Sequence, residues 1–300
     1  MACWKIFMRT LSALLIIVNL SSSSVVSASV ENNADDYCNR GNYYVKLGQY
    51  EQAIQNYDKA IELNPNFIEA YSNRSAAYSV LGKYEQAIQD CNKIIQLNPK
   101  SVEAYANRGL AYYNLKQYKR AIQDHNKAME LNPNIADVYY NRGLAYAIGL
   151  KQYDLAIQDY SKAVQLNPNH PHYYYSRGIA YGDLALEEFQ RGVDYDKSKQ
   201  SDKAVEELNK CFRDFDKAIQ DFSIAIQLYP NFVEAYNYRG VIYSRIRKYE
   251  QAIQDYDKAI QINPNFALAY NNRELAYQRL GDEVKARADF AKAKELQKKY

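Results

Sequence analysis

The side chains of this 300-residue sequence that could do acid–base, nucleophilic or metal chemistry are three histidines, four cysteines and 35 carboxylates. Their spacing does not assemble them. His170 and His172 flank Pro171 and could begin a metal site, but no cysteine or acid stands near them at the short spacings zinc requires. His125 falls in an otherwise helical run and reads as packing. Cys38, Cys91 and Cys211 are widely scattered, and Cys3 lies in a leader-like segment, so no disulfide framework is implied. No Ser-His-Asp or Cys-His arrangement can be drawn. Gly149, Gly182 and Gly192 are too far apart to cradle a phosphate. No catalysis, cofactor or metal is expected.

What recurs in register is arginine, aspartate and asparagine. Arg40, Arg74, Arg108, Arg142, Arg177, Arg239 and Arg273 follow one another at 34 residues, stretched once to 35 and once to 62. Asp90, Asp124, Asp159, Asp221, Asp255 and Asp289 keep the same rhythm, with Asn56 in the first place. A guanidinium on an apolar face needs a partner, so Arg–Asp pairing within a repeat or with a neighbour is expected. An arginine track for anionic ligands is the alternative. Asn39, Asn73, Asn107, Asn141 and Asn272 stand one residue ahead of the arginines, and Ser176 and Tyr238 break the line. A primary amide donates and accepts together, which matches the peptide bond of an extended chain.

The elements that must position these residues show the same period. Prolines at 65, 99, 133, 168, 230 and 264 divide the chain into seven units. These are residues 34–67, 68–101, 102–135, 136–170, 171–232, 233–266 and 267–300. Tyrosine, with 31 copies against nine Phe and one Trp, holds the fourth and eleventh slots of every unit. Slots four, seven, eight and eleven form one helical face, and a second apolar stripe such as Ala53, Tyr57 and Ala60 follows a turn. Asn-Pro then ends the second helix. Two antiparallel helices per unit are predicted, with small residues such as Gly41 and Ala53 at their contact. The tyrosine excess is architectural.

The run Tyr-x-x-Arg-Gly-x-x-Tyr, then Ala-x-x-x-Tyr/Phe, then Pro, resembles the tetratricopeptide repeat, here in seven copies over 34–300. That resemblance implies an all-α fold, a right-handed superhelical solenoid of helix-turn-helix pairs with first helices lining a concave groove. It also implies a scaffold that binds a protein or extended peptide and has no catalysis of its own. The asparagines resemble the ladder in the repeat superhelix of O-linked N-acetylglucosamine transferases, so Asn39, Asn73, Asn107, Asn141 and Asn272 become the candidate peptide-binding residues. The two-carboxylate clamp of chaperone-binding repeats is not matched. Cys38 and Ser72 stand where its lysine would begin, and Asp35, Glu69, Glu103, Asp137 and Glu234 would repel a C-terminal carboxylate.

Two segments depart from the period. Residues 1–28 carry Lys5 and Arg9, an apolar centre Ala13–Val18 and a Val-Ser-Ala end, the layout of a secretory signal, with 29–33 as a linker. An exported protein, periplasmic or secreted, with no stable membrane insertion after cleavage is expected. The formal charge of +3 falls to +1 without the leader, so nucleic acid is not an expected partner. The fifth unit holds 28 extra residues between its helices. Val205, Leu208, Phe212, Phe215, Ile219 and Phe222, opposite Leu186, Phe189 and Val193, predict a coiled-coil seam in a protruding helical hairpin. Ser201 or Asp202 is expected to cap its returning helix. Rival readings are a regulatory subunit of a separate enzyme, and a glycan or small-ligand binder using Tyr140, Tyr175 and Tyr238 as stacking platforms.

Overall fold

The computed structural model describes residues 33–298, and the leader and most of its linker (1–32) lie outside the described residues. The fourteen α-helices of the described residues fall where the period places them. The chain forms two compact units, divided between Asn141 and Arg142. Unit 1 holds α1 (Ala34–Lys46), α2 (Tyr50–Leu63), α3 (Ile68–Val80), α4 (Tyr84–Leu97), α5 (Val102–Asn114), α6 (Tyr118–Leu131) and most of α7 (Ala136–Leu144). Unit 2 holds the end of α7, then α8 (Tyr153–Leu166), α9 (Pro171–Lys197), α10 (Ser201–Leu228), α11 (Val233–Arg245), α12 (Tyr249–Ile262), α13 (Ala267–Leu280) and α14 (Glu283–Gln297).

Five of the seven second helices end in the same way. The Asn side chain before proline accepts from the backbone N–H two residues on, as in Asn64 Oδ1 with Asn66 N at 3.1 Å and Asn132 Oδ1 with Asn134 N at 3.0 Å. This side-chain turn competes with the next helical bond and stops the helix. The turn inside each repeat needs one left-handed residue. Gly48, Gly82 and Gly281 supply it in three repeats, whereas Lys116, Lys151, Lys199 and Arg247 adopt positive φ in the others. The extra residue of the fourth unit is absorbed as a π-helical turn at Ala145–Leu150.

The helix contact is as close as the small residues allow. A Cβ on Gly109 would lie 2.7 Å from His125, and one on Gly143 would lie 2.7 Å from Tyr160. In the second repeat Ser75 replaces the glycine and Cys91 replaces the ring, with Ser75 Oγ 3.2 Å from Cys91 Sγ. The slot-four tyrosine also has a polar task. Tyr71 and Tyr270 donate to the carbonyls of Pro65 and Pro264, each at 3.3 Å, which ties the first helix to the turn before it.

The seventh-slot arginines pair within their own repeats. Arg74, Arg108, Arg142, Arg177, Arg239 and Arg273 each fork onto the aspartate of the second helix, as in Arg108 Nε and Nη2 to Asp124 at 2.8 and 2.7 Å. Tyrosines stack on them, for example Tyr71 and Tyr78 at 5.4 and 5.9 Å from the Arg74 guanidinium. The third fork position reaches the preceding repeat: Arg74 to Asp58, Arg108 to Asn92, Arg177 to Ser161, Arg239 to Ser223 and Arg273 to Asp257. One guanidinium thus joins two helices of its own repeat to a third helix of the repeat before it. In the first repeat Arg40 lies 4.2 Å from the Tyr37 ring centre.

In the fifth repeat α9 and α10 have 27 and 28 residues where other repeats have 13 and 14. Each gains 14, extending the hairpin by roughly 21 Å at 1.5 Å per residue. The seam differs from the one the apolar pattern predicts. Val205 and Phe212 are more than half exposed and Phe189 nearly so, while Phe215 and Phe222 are buried as expected and Ala204, Cys211 and Ala218 are buried with them, as are Ala185 and Gly192 on α9. Small residues opposite draw the helices too close for Val205 and Phe212 to fit between them. Ala218 is the repeat's own contact alanine, and steps of seven back along the helix give Cys211 and Ala204. The cap also differs: Gln200 precedes α10 without a side-chain cap, and Ser201 is already helical. The arginine clasp recurs 14 residues outward, with Arg191 Nε donating to Glu207 Oε2 at 2.6 Å.

Candidate functional site

Four of the five candidate asparagines lie in unit 1, on the first helices α1, α3, α5 and α7. Asn39 is exposed, and Asn73 and Asn107 are half-buried. Asn73 is partly used inside the fold: its amide donates to Asn42 Oδ1 at 2.9 Å and approaches Cys38 Sγ at 3.9 Å. This contact joins successive first helices. Asn107 and Asn141 have no hydrogen-bonding partner among the described residues. Asn141 is only 7% exposed, a deeper position than that of a residue presented freely on a groove surface. Asn272 lies in unit 2 and donates to Asn237 Oδ1 at 2.9 Å, the counterpart of the Asn73–Cys38 approach. The sixth slot therefore both links neighbouring first helices and leaves amide capacity unused.

The electrostatics of this face are acidic. Asp35, Glu69 and Glu103 are exposed in the first turns of α1, α3 and α5. The Cys38 thiol is pushed up to about 12, first by burial and next by Glu69, with Asp35 adding to it and the Asn73 amide opposing. Two acids of neighbouring repeats thus bear on one point between α1 and α3. A thiol held protonated in this way is a poor nucleophile.

Other candidate groups are placed in the packing. His125 is fully buried beneath Gly109. His170 stacks on Tyr173 at 4.2 Å and His172 meets Phe232 edge-on at 5.0 Å, and burial followed by His170 lowers the His172 imidazole to about 4. No group of three His, Cys, Asp or Glu that could hold a metal ion occurs among the described residues. Tyr140 and Tyr175 do not form stacking platforms, because both are fully buried. Tyr175 packs against Phe222, Phe232 and Tyr238. No described helix is long and apolar enough to cross a membrane.

Comparison with known proteins places this architecture. Tetratricopeptide repeat models match residues 34–67, 102–135 and 233–266, and also 56–89 and 126–158. A further TPR repeat model matches 77–116 and 150–185. No curated protein matches the chain. Among solved structures, YrrB, described as a TPR protein with an unusual peptide-binding site, is 26% identical with a TM-score of 0.51, covering 71% of this chain and 95% of its own. A tetratricopeptide repeat protein from Parabacteroides merdae is 20% identical with a TM-score of 0.60, covering 88% of this chain and 93% of its own. Pseudomonas aeruginosa PilF is 19% identical with a TM-score of 0.59, covering 83% and 97%. Repeat models, helix pairs and solved relatives agree, and the chain belongs to the tetratricopeptide repeat family, with the all-α solenoid fold class and general protein-interaction role of that family.

Proposed function

We propose that the chain is an exported, non-catalytic scaffold whose first-helix face in unit 1 grips the backbone of an extended peptide through Asn73, Asn107 and Asn141. The observation that carries this reading is the register of open amides. Asn107 and Asn141 stand 34 residues apart on successive first helices and have no partner among the described residues. A primary amide both donates and accepts, and the backbone of an extended segment offers the acceptor and the donor that match it. The reading is supported by YrrB, a TPR protein described as having an unusual peptide-binding site.

Selection of extended peptides from a display library, followed by fluorescence anisotropy, tests the ladder. Each net hydrogen bond contributes on the order of 1 kcal/mol. The Asn73→Ala/Asn107→Ala variant should therefore bind selected peptides about thirtyfold more weakly, with an unchanged circular dichroism spectrum. Unchanged affinity rejects the ladder. Asn141 is left out of the variant because its burial makes truncation a test of folding as well. Mass spectrometry of native material tests export, with Ser29 as the expected first residue and an intact Met1 end as the refuting result.

A further inference from the structure

We propose that the two ends of the repeat array fit each other, so that the last repeat of one copy stacks on the first repeat of a second copy, Lys294 meeting Asp36 and Arg287 meeting Tyr43.

The junctions between repeats inside the chain show which slots meet. In unit 1 Ala70 packs with Ile61 and Ala104 with Ile95, and in unit 2 Ala269 packs with Ile260. Each is the third slot of one repeat against the twenty-eighth slot of the repeat before it. The tenth slot meets the twenty-first in the same way, as Ala276 with Ile253, beside Val241 in the ninth. The third and tenth slots are buried in all six later repeats. The twenty-first and twenty-eighth slots are apolar in all six earlier repeats, and none of those side chains is exposed.

The end repeats change these slots, and in opposite senses. On α1 the third and tenth slots hold Asp36 and Tyr43, both exposed. On α14 the twenty-first and twenty-eighth hold Arg287 and Lys294, also exposed. None of the three charges has an ion pair among the described residues. Stacked by the rule of the internal junctions, Asp36 of one copy faces Lys294 of another, a carboxylate opposite an ammonium. Tyr43 faces Arg287 and Leu275, which gives a guanidinium an aromatic ring and the ring an aliphatic neighbour. Arg40 takes no part. It lies 4.2 Å from the centre of its own Tyr37 ring, and Ala291 stands where Asp58 and Asp257 accept the fork of the following repeat.

An end that meets only water needs a polar face. These ends also keep Tyr43 and Leu47 at the head, and Leu275 and Phe290 at the tail, each more than half exposed. Solvation is served equally well by one sign of charge at both ends, whereas here the signs are opposite at slots that meet. The side chains at both ends are longer than the alanines and isoleucines of the internal junctions. They hold two copies farther apart than two repeats, which suits a weak, concentration-dependent contact.

The test uses the full chain expressed with its own leader, followed by sedimentation velocity over rising protein concentration at low ionic strength. The mean mass should grow with concentration and fall back on addition of salt. A head-to-tail contact leaves one free head and one free tail, so growth should pass beyond two copies. Asp36→Lys and Lys294→Glu should each weaken association by at least about tenfold, because like charges then meet. The two variants mixed in equal amounts should grow again, and so should the double variant alone, since opposite charges face each other in both. Ala291→Asp should tighten association by giving Arg40 the acceptor that the tail lacks. A single monomer mass at every concentration overturns the proposal and makes the ends solvated caps. Growth that neither single variant weakens overturns it too, as does a loss that the double variant fails to restore with its circular dichroism spectrum unchanged.

Discussion

At the scale of single residues, the structure turns on the forked arginine. A guanidinium stands on an otherwise apolar helix face, and it persists because its donors find partners: two on Asp124 for Arg108, one on Asn92, with a tyrosine face at 5.4 Å. Hydrogen bonding to Asp124 outweighs burial and raises the Arg108 pKa further. Removing the acceptor leaves a largely buried charge with one side unmatched. Asp124→Ala should cost about 2–4 kcal/mol in urea unfolding, and Arg108→Lys about 1–2 kcal/mol, because an ammonium cannot span both carboxylate oxygens. A loss below about 0.5 kcal/mol in both would show that the clasp is incidental. The Arg–Asp pair was readable in the sequence because both residues keep one period. The third contact, to the preceding repeat, was not, because Asp58, Asn92, Ser161, Ser223 and Asp257 share a position but not a residue type.

Among the elements, the fifth-repeat hairpin shows where apolar pattern fails and residue size decides. Length, helicity and antiparallel course followed from the 28 extra residues, and Phe215 and Phe222 are buried as the pattern suggests, but farther out the seam runs through Ala204 and Cys211, one residue before Val205 and Phe212. Phe212→Ser should therefore change stability by less than about 0.5 kcal/mol, whereas Phe222→Ala should cost about 3–5 kcal/mol. Comparable losses would restore the seam the pattern suggests. The hairpin also buries Glu188, which Arg191 approaches on its own helix at 3.9 Å, while α10 presents Asp214, Glu207, Lys210 and Cys211. Burial first, and then Asp214, raise the Glu188 carboxyl to about 7. Its folded-state value thus lies above its unfolded one, so stability from this group is full below about 4.5 and is lost as pH rises through about 7. Glu188→Gln should flatten that fall and raise stability at pH 8 by about 1–2 kcal/mol, discounted for solvent screening. A parallel pH–stability profile in the two proteins would refute it.

For the whole molecule, stability in a repeat array is close to a sum of local and neighbour terms, so defects at an end stay at that end. The last repeat carries such a defect. Glu274 occupies the slot where other repeats place glycine or serine, and Phe290, in the position of fully buried Tyr256, is 53% exposed. Hydrogen exchange should therefore be faster in α13 and α14 than in α5 and α6, and equal protection would contradict this. Glu274→Gly should let the ring fold inward. The gain of roughly 2 kcal/mol from burial, less about 1 kcal/mol for glycine in a helix, leaves about 1 kcal/mol of added stability in thermal melts. This weak point was legible in the sequence, since one residue breaks an otherwise fixed slot. The burial of Tyr140, Tyr175 and Asn141 was not, because repeat position assigns a helix face and leaves depth to whatever packs beyond it.

The length of the hairpin extension carries a consequence for how such a chain can change. Fourteen residues are close to four helical turns, so each lengthened helix leaves and re-enters the repeat in nearly its original phase. Arg177 still meets Asp221, and Gly178 still faces Phe222, as though nothing lay between them. Sequence can therefore be gained or lost here only in matched instalments, two at a time and in multiples of seven. A gene that slipped by five codons on one side would rotate a clasp away from its acid. The hairpin behaves like a telescoping pole with fixed stops, on which reach is open to variation and phase is not.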